Sequence, residues 1–559
     1  MCRSAVHSGR TRVLTIASVL PAAMAVAFAG AGTAYAGERL YNGIVLPDVW
    51  PPKIEVLALE PAPVPYLKTP PEVIPIDVGR QLFVDDFLIE ETNLQRAFHT
   101  AEYYPGNPVL KADRPWEDAG QGPTAMVFSD GVWYDPRDHL FKMWYMAPYL
   151  QSTCYAVSSD GIRWEKPSLD VVPGTNIVLN TAYRDSSTVW LDLYEQDPAR
   201  RYKMTLYEKG PEGRLSVRFS PDGIHWGDVA TWAGPCGDRT TVFYNPFRKV
   251  WVYGIRGGTR VGDSREARVR YYREGADLLT AAHWNAGEQA LWVGADRLDP
   301  RRPGLDIQPQ LYNLDAVAYE SLMLGLFSIW QGPSNEACYA QGIPKRNEVL
   351  LGFSRDGFRW HRPDRRPFIG VDETPGSWTE GNVQSAGGGC LIVGDKLYFY
   401  FGGRARCGSK HWDSCGSTGL AMLRRDGFAS MDAGTSKGTL TTRLVRFTGK
   451  HLFVNADVGA GELRVEVLDK GGKVIQPLSR DNCVPVRKDG TLQAVKWQGA
   501  SDLSEVADQP VRFRFYLNNG RLYAFWVSPE PSGASHGYVA AGGPGFSEPM
   551  DTVGAGRSR

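Results

Sequence analysis

One heptapeptide keeps returning along this chain. SSDGIRW at Ser158 to Trp164 recurs as SPDGIHW at Ser220 to Trp226 and SRDGFRW at Ser354 to Trp360, with a degraded copy, RRDGFASM, at Arg424 to Met431. Asp-Gly between apolar flanks closes a hairpin, because the turn needs a positive φ that glycine adopts without steric cost. The aspartates stand at 160, 222, 356 and 426, so the intervals are 62, 134 and 70, and the doubled middle one must hold a unit whose own copy has decayed. Ahead of each turn, and once inside the gap, lie two strands joined by a short turn: TAMVFSDGVWYDPRDHLFKMWYMA, STVWLDLYEQDPARRYKMTLYE, TTVFYNPFRKVWVYGIR, AVAYESLMLGLFSIW and SAGGGCLIVGDKLYFYFGG.

Five four-stranded units at this period predict an all-β fold, a five-bladed β-propeller over residues 76–435. The fifth unit runs out before its outer strand, and QLFVDDFLIEE at Gln81 to Glu91 is expected to fill that place, so that no edge stays open. After Ser436 the alternation of TLTTRLVRFTGKHLFVNAD and VRFRFYLNNGRLYAFWVS, with Gly-Gly and Asn-Asn-Gly turns, predicts a β-sandwich to Ser528. Residues 37–75 are proline-rich and read as an extended arm, since each proline removes a backbone donor. From Pro529 the chain is rich in Gly, Pro and Ser and is expected to be disordered.

At the N-terminus, Arg3, Arg10 and Arg12 precede an apolar run from Val13 to Ala31 and the small-residue sequence Ala34-Tyr35-Ala36. That is the order of a secretory signal peptide, cut after Ala36, and it predicts a secreted or periplasmic protein free of the membrane after cleavage. The rival, an uncleaved anchor, is disfavoured by Pro21 and the Gly and Ala residues of the run.

Lys+Arg and Asp+Glu are both 62, which removes the basic excess of a nucleic-acid binder. A neutral partner such as an oligo- or polysaccharide fits better. The 17 Trp and 25 Tyr agree with that, because aromatic faces stack on sugars, although most Trp in a β protein are core. The cysteines have no ligand-spaced CxxC pair, so neither a metal nor another cofactor is expected. Cys407 and Cys415 share one polar loop, where they could pair in an oxidising compartment or stay as thiols.

In a propeller, the residue just before each innermost strand faces the central funnel. Asp118, Asp185 and Asp238 hold that place in the first three units, Asp315 and Glu320 lie in the fourth, and Glu380 precedes the fifth. Asp often merely caps a turn, but an acid in every unit is harder to assign to turns alone. Carboxylates crowded in one funnel separate their pKa values, which lets one act as acid while another is ionised, as glycoside hydrolysis requires. Arg184 and Arg239, beside Asp185 and Asp238, could hold those carboxylates ionised or bind sugar hydroxyls.

The five-unit pattern, the acids at Asp185, Asp238 and Glu320 and the following sandwich resemble the furanosidase-type glycoside hydrolases of families 32 and 43. LFVDDFLIEE, NPVLKADRPWE and RLVRFTGKHLFVNAD look like an outlying bacterial family-32-like group. The resemblance implies a base, a transition-state stabiliser and an acid from successive blades: Asp185 as nucleophile or base, Asp238 as stabiliser, Glu320 or Glu380 as acid, and Asp118 in reserve for the first-blade base. The chain departs from the pattern in having no NDPNG and an Asp at 238 where a Glu acid is usual. Two other functions stay open: a non-catalytic sugar-binding propeller, and a sialidase-like hydrolase, whose hairpin box would carry a residue between Asp and Gly.

Overall fold

The computed structural model describes residues 37–119, 122–208, 213–262, 266–406, 415–459 and 461–554. Residues 1–36, where a signal peptide is expected, and Cys407 lie outside the described residues; Cys415 is disulfide-bonded. The chain is 44% strand and 5% helix, in line with the short Val, Tyr, Phe and Trp runs between turn residues. Among the described residues no helix is long and apolar enough to cross a membrane.

Each of the five sequence units builds one antiparallel sheet. The first comprises Met126–Asp135, Leu140–Met146, Thr153–Ser158 and Ile177–Leu179, and the second Arg184–Leu191, Tyr202–Glu208, Arg214–Ser220 and Thr231–Trp232. The third, from the doubled interval, comprises Thr241–Asn245, Val250–Arg260, Glu266–Gly275 and Ala290–Val293. Gln310–Glu320, Leu322–Gly332 and Arg346–Ser354 form the fourth; Asn382–Ser385, Lys396–Ala405 and Cys415–Arg424 form the fifth, which touches the fourth through the single parallel pair Asn347 and Asn382.

The Asp-Gly turns explain how the sheets stay in order. In the first copy Asp160 Oδ1 accepts from the backbone N–H of Ile162 and Arg163, while Ser158 Oγ accepts from Gly161. The copies at Asp222 and Asp356 make the same bonds. Each turn then docks on the preceding sheet. The Gly223 carbonyl accepts from Trp144 Nε1 at 2.7 Å, the Phe358 carbonyl from Trp292 Nε1 at 2.7 Å, and Asp426 from the Tyr319 hydroxyl at 2.6 Å. The turn of the first sheet docks on the fifth, where the Tyr400 hydroxyl donates to the Gly161 carbonyl. Gly223 shows why the motif needs glycine: its φ is +82°, and a Cβ would stand 2.5 Å from the Trp144 ring.

Two expectations change here. Gln81 to Glu91 does not complete the fifth sheet; Glu102–Tyr103 pairs there instead, against Ala421 and Met422. Gln81–Leu82 joins Gly520–Ser528, and Ile89–Thr92 joins Gly438–Thr442, so this stretch belongs to the sandwich. The reason is its apolar set: Phe83, Phe87 and Leu88 are buried in the second core, with the Phe83 ring 5.7 Å from Phe525 and 6.4 Å from Phe515. Gln95–Phe98 and Ala429–Ala433 add two more strands, so the sandwich takes residues from both sides of the five sheets.

The second change concerns the C-terminus. Pro529 to Gly554, expected to be disordered, packs across the C-terminal ends of the innermost strands. Tyr538 and Val539 pair with Glu320 and Tyr319, Ala541 accepts from Tyr134 and donates to Cys390, and Gly542 accepts from Ile392. Val539 and Ala541 are each 1% exposed. Gly-rich composition here serves close backbone approach rather than freedom: a Cβ on Gly537 would lie 2.1 Å from Glu320 Oε2. A chain ending at Ser528 should therefore lose cooperative thermal unfolding or shift its midpoint down by several degrees, since burial of even two such apolar side chains is worth about 2–4 kcal/mol; an unchanged melt would count against the tail as part of the core.

Candidate functional site

The innermost strands approach closely because small residues face one another: a Cβ on Gly131 would meet the Val189 carbonyl at 2.8 Å, and one on Gly387 the Ser129 carbonyl at 2.8 Å. At their N-terminal ends polar side chains converge. Thr188 Oγ1 accepts from Val242 N–H, and Thr241 Oγ1 donates to the Leu314 carbonyl, so the second, third and fourth innermost strands are held in one register. In that register Asp185 and Asp238 each lie three residues ahead of the bonded threonine and adjoin one another, Asp315 directly follows Leu314, and Arg239 acts on both Asp185 and Asp315.

Asp185 is partly buried, with Oδ1 accepting from Ser186 N–H. Burial first, and then the adjacent Asp238 carboxylate, push it up to about 6, against the opposing pull of Arg239 and Arg404. Asp238 is 43% exposed at its side chain and has Arg256 Nη1 at 3.7 Å. Asp315 is 3% exposed. Its Oδ2 accepts from Ser385 Oγ at 2.5 Å and Asn313 Nδ2 at 2.7 Å. Burial outweighs those donors and Arg239, and raises it to about 6 as well.

Arg239 lies among these carboxylates, 1% exposed, stacked on Phe128 at 3.9 Å with Nη2 3.3 Å from Ser129 Oγ. Ser129 sits at φ 61° inside an irregular stretch of its strand between Met126 and Gly131, a conformation a serine holds only where its surroundings over-determine it. Arg404 also stacks on Phe128, at 4.6 Å. Arg270, fully buried, is pushed down to about 9 by burial and then by Arg256 and Arg239. Tyr183 is raised by burial and by Asp185 and Asp238. Beside Asp238 opens a cleft of about 670 Å³ whose lining includes Arg256, Arg268, Tyr271 and Gln310.

The other residues singled out from sequence go elsewhere. Glu320, expected with the funnel acids, ends the strand that Asp315 centres, roughly 16 Å further along at a strand's rise. There it is completely buried, pairs with Arg425 at 3.1 Å and Arg80 at 3.5 Å, and accepts from Ser535 Oγ. Asp118 is exposed at the end of the short helix Pro115–Glu117, apart from the cluster. Arg184 is spent on Asp130, with two bonds of 2.8 Å between fully buried groups. Glu380 is 9% exposed before its strand, accepting from Gly376 N–H and 3.5 Å from Arg406. Sequence reading passed over Arg270 and Arg256 and did not choose Asp315 over Glu320; the available signal was the polar pair Asn313 and Asp315 inside an otherwise apolar strand. Among the described residues no cluster of His, Cys, Asp or Glu could hold a metal ion.

No family model and no curated protein matches this chain. Solved structures do. A glycosyl hydrolase from Bacteroides ovatus shares 13% identity, covering 62% of this chain and 97% of its own, at a TM-score of 0.35. A thermostable family-43 glycoside hydrolase shares 10%, covering 56% and 94%, at 0.38. A family 43 arabinoxylan arabinofuranohydrolase from Bacillus subtilis, in complex with cellotetraose, shares 11%, covering 77% and 99%, at 0.34. Superpositions this loose place no residue.

The raised carboxylate has a measurable consequence for stability. A carboxyl whose folded value, about 6, lies above its ordinary 3.8 disfavours the folded state once ionised. The folded protein is therefore penalised above pH 6 and not below pH 4. Asp185→Asn should stabilise by on the order of 1 kcal/mol at pH 7.5, less than the full shift implies because the side chain is only partly buried and solvent screens its charge, and by nothing at pH 4. Denaturant titrations of both proteins at the two pH values check this; a variant less stable at pH 7.5 would contradict the burial argument.

Proposed function

We propose that the chain is an exported glycoside hydrolase that cuts glycosidic bonds, furanosidic ones among them, in the funnel of a five-bladed β-propeller. The ring of docked turns, in which the first sheet's turn bonds the fifth sheet, supports closure into five blades. The signal-type N-terminus, cut after Ala36, supports delivery to the periplasm or the exterior.

The observation that carries the hydrolytic reading is the pair Asp185 and Asp315, two carboxyls in one polar cluster that both titrate near 6, with a third carboxylate at Asp238. Glycoside hydrolysis needs one carboxyl that gives a proton to the leaving oxygen and one that takes a proton from water or attacks the sugar. Asp185, at the more open position, serves as base; Asp238 stabilises positive charge developing on the sugar ring; Asp315 is the acid, in the role the sequence suggested for Glu320. Glu380 stands at the rim as the alternative acid. Tyr183, beside Asp185 and Asp238, supplies a ring face for the sugar.

Activity should peak near pH 6: below it Asp185 becomes protonated and stops acting as a base, and above it Asp315 loses the proton it donates. Pyranosides, furanosides and sialosides assayed with the mature protein give the substrate. Asp185→Asn and Asp315→Asn should each lower kcat/KM by about 10²–10⁴-fold with the fold intact. Asp160→Asn and Glu320→Gln should instead lower stability while turnover per folded molecule persists. If no glycoside is cut but sugars bind, the non-catalytic binding propeller takes the place of this reading.

A further inference from the structure

Buried arginines in this fold are met by carboxylates, with a consistency that makes the exceptions informative. Arg184 has Asp130 at 2.8 Å through both terminal nitrogens, Arg355 has Asp85 at 2.8 and 2.9 Å, and Arg201 has Asp135 at 2.7 Å twice. Arg362 pairs with Asp299, and Arg80 with Asp426 at 2.9 Å. Arg239 and Arg270 break the pattern. Arg239 is 1% exposed, yet its Nε and Nη1 have no hydrogen-bond partner among the described residues, and its single bond is the 3.3 Å contact to Ser129. Arg270 is 0% exposed, with Nη1 and Nη2 on the Val269 and Tyr312 carbonyls; its Nε has no hydrogen bond, as is true of Arg80 and Arg362, but unlike theirs its charge meets no carboxylate among the described residues. Arg256, toward the cleft, likewise has Nε unpartnered.

A buried donor left unsatisfied costs about 1–3 kcal/mol, more when charged, so two guanidinium groups in this condition are a substantial standing cost. Stacking on Phe128 leaves the in-plane N–H groups of Arg239 unused. The nearby Asp185 and Asp315 do not meet the need: each feels Arg239 through space, but neither hydrogen-bonds it, and both are partly protonated near pH 6. The depressed value of Arg270 reports its burial first and then crowding by Arg256 and Arg239. Around Tyr312 the crowding continues, with Arg239 and Arg268 each 5.6 Å from its ring.

We propose that the glycan this site accepts carries an oxyanion on its sugar, a uronic carboxylate or a sulfate ester, which the open Nε and Nη1 of Arg239 receive beside Asp185 and Asp315, with the buried charge of Arg270 behind it. Planar guanidinium donors match both anions, and the cleft along Arg256 and Arg268 leaves room for the remainder of the chain. The inference rests on the glycoside-hydrolase reading for its substrate class but not for its anion.

The test is calorimetric binding of matched pairs to the mature protein: a uronic-acid oligosaccharide against its carboxyl-reduced twin, and a sulfated oligosaccharide against its desulfated twin. One anionic member should bind at least about tenfold more tightly than its neutral twin, and added salt should shrink the margin. Which pair responds identifies the anion. Arg239→Gln should abolish the preference; if that variant fails to show a native melt, the more exposed Arg256→Gln should still narrow it. Equal binding of both members in both pairs overturns the proposal, as does cleavage of neutral glycosides that depends on inorganic phosphate. Cleavage of neutral twins without preference would remove the anion and leave hydrolysis standing, whereas selective binding of an anionic glycan with no cleavage would remove hydrolysis and keep the anion.

Discussion

A single buried ion network ties together parts of the chain that are hundreds of residues apart. Arg80, from the segment leading into the sandwich, bonds Asp426 in the fifth sheet's turn and the Thr491 carbonyl in the sandwich, and its guanidinium covers Trp526 at 4.1 Å. Arg425 joins Glu320, at the end of the fourth innermost strand, to Asp551 of the C-terminal segment. Asn455 of the sandwich donates to Asp426 as well. Charges so deeply buried are tolerable only when all are paired, and removing one partner typically costs about 3–5 kcal/mol. The five sheets, the sandwich and the C-terminal segment therefore have to assemble together, which is why neither the tail nor the Gln81 to Glu91 stretch behaves as an appendage.

The two ends of the innermost strands are built on opposite electrostatic terms. At the C-terminal end the buried charges have ionic partners: Glu320, though raised by burial, has two arginines and a serine. At the N-terminal end Asp185 and Asp315 are pushed toward protonation, Arg239 and Arg270 meet no carboxylate among the described residues, and Ser129 is held in a left-handed conformation. Such features lower stability and persist where chemistry or binding uses them. The satisfied end supplies the rigidity that the unsatisfied end depends on.

The repeated turn shows how one local solution is put to different uses. In three copies the Asp carboxylate is occupied by its own backbone and the glycine makes room for a side chain of the neighbouring sheet, Tyr400, Trp144 and Asn245 in turn. In the fourth, the serine is replaced by Arg424, and Asp426, at φ 61°, turns outward from the hairpin to the ion network. The copy that looks degraded in sequence still turns, with Gly427 N–H donating to the Arg424 carbonyl, but has exchanged the carboxylate's bonds to its own backbone for contact with the sandwich.

The sequence by itself determined the local order: five pairs of strands with their Asp-Gly turns, the unit without a clear turn in the doubled interval, and acids ahead of the second and third innermost strands. These are legible because turn chemistry and alternation act over a few neighbouring residues. Only the tertiary structure decided where QLFVDDFLIEE pairs, since its buried Phe83, Phe87 and Leu88 would suit either sheet edge and only the facing Phe515 and Phe525 discriminate. It likewise decided that Pro529 to Gly554 is ordered, because glycine-rich backbone is loose alone and close-packed when carbonyls surround it. Asp315 and Glu320 look equivalent in sequence, five positions apart on one strand. They were separated by what stands across from each: Ser385 and an under-paired Arg239 at one level, Arg80 and Arg425 at the other, contacts between residues distant in the chain that no local pattern encodes.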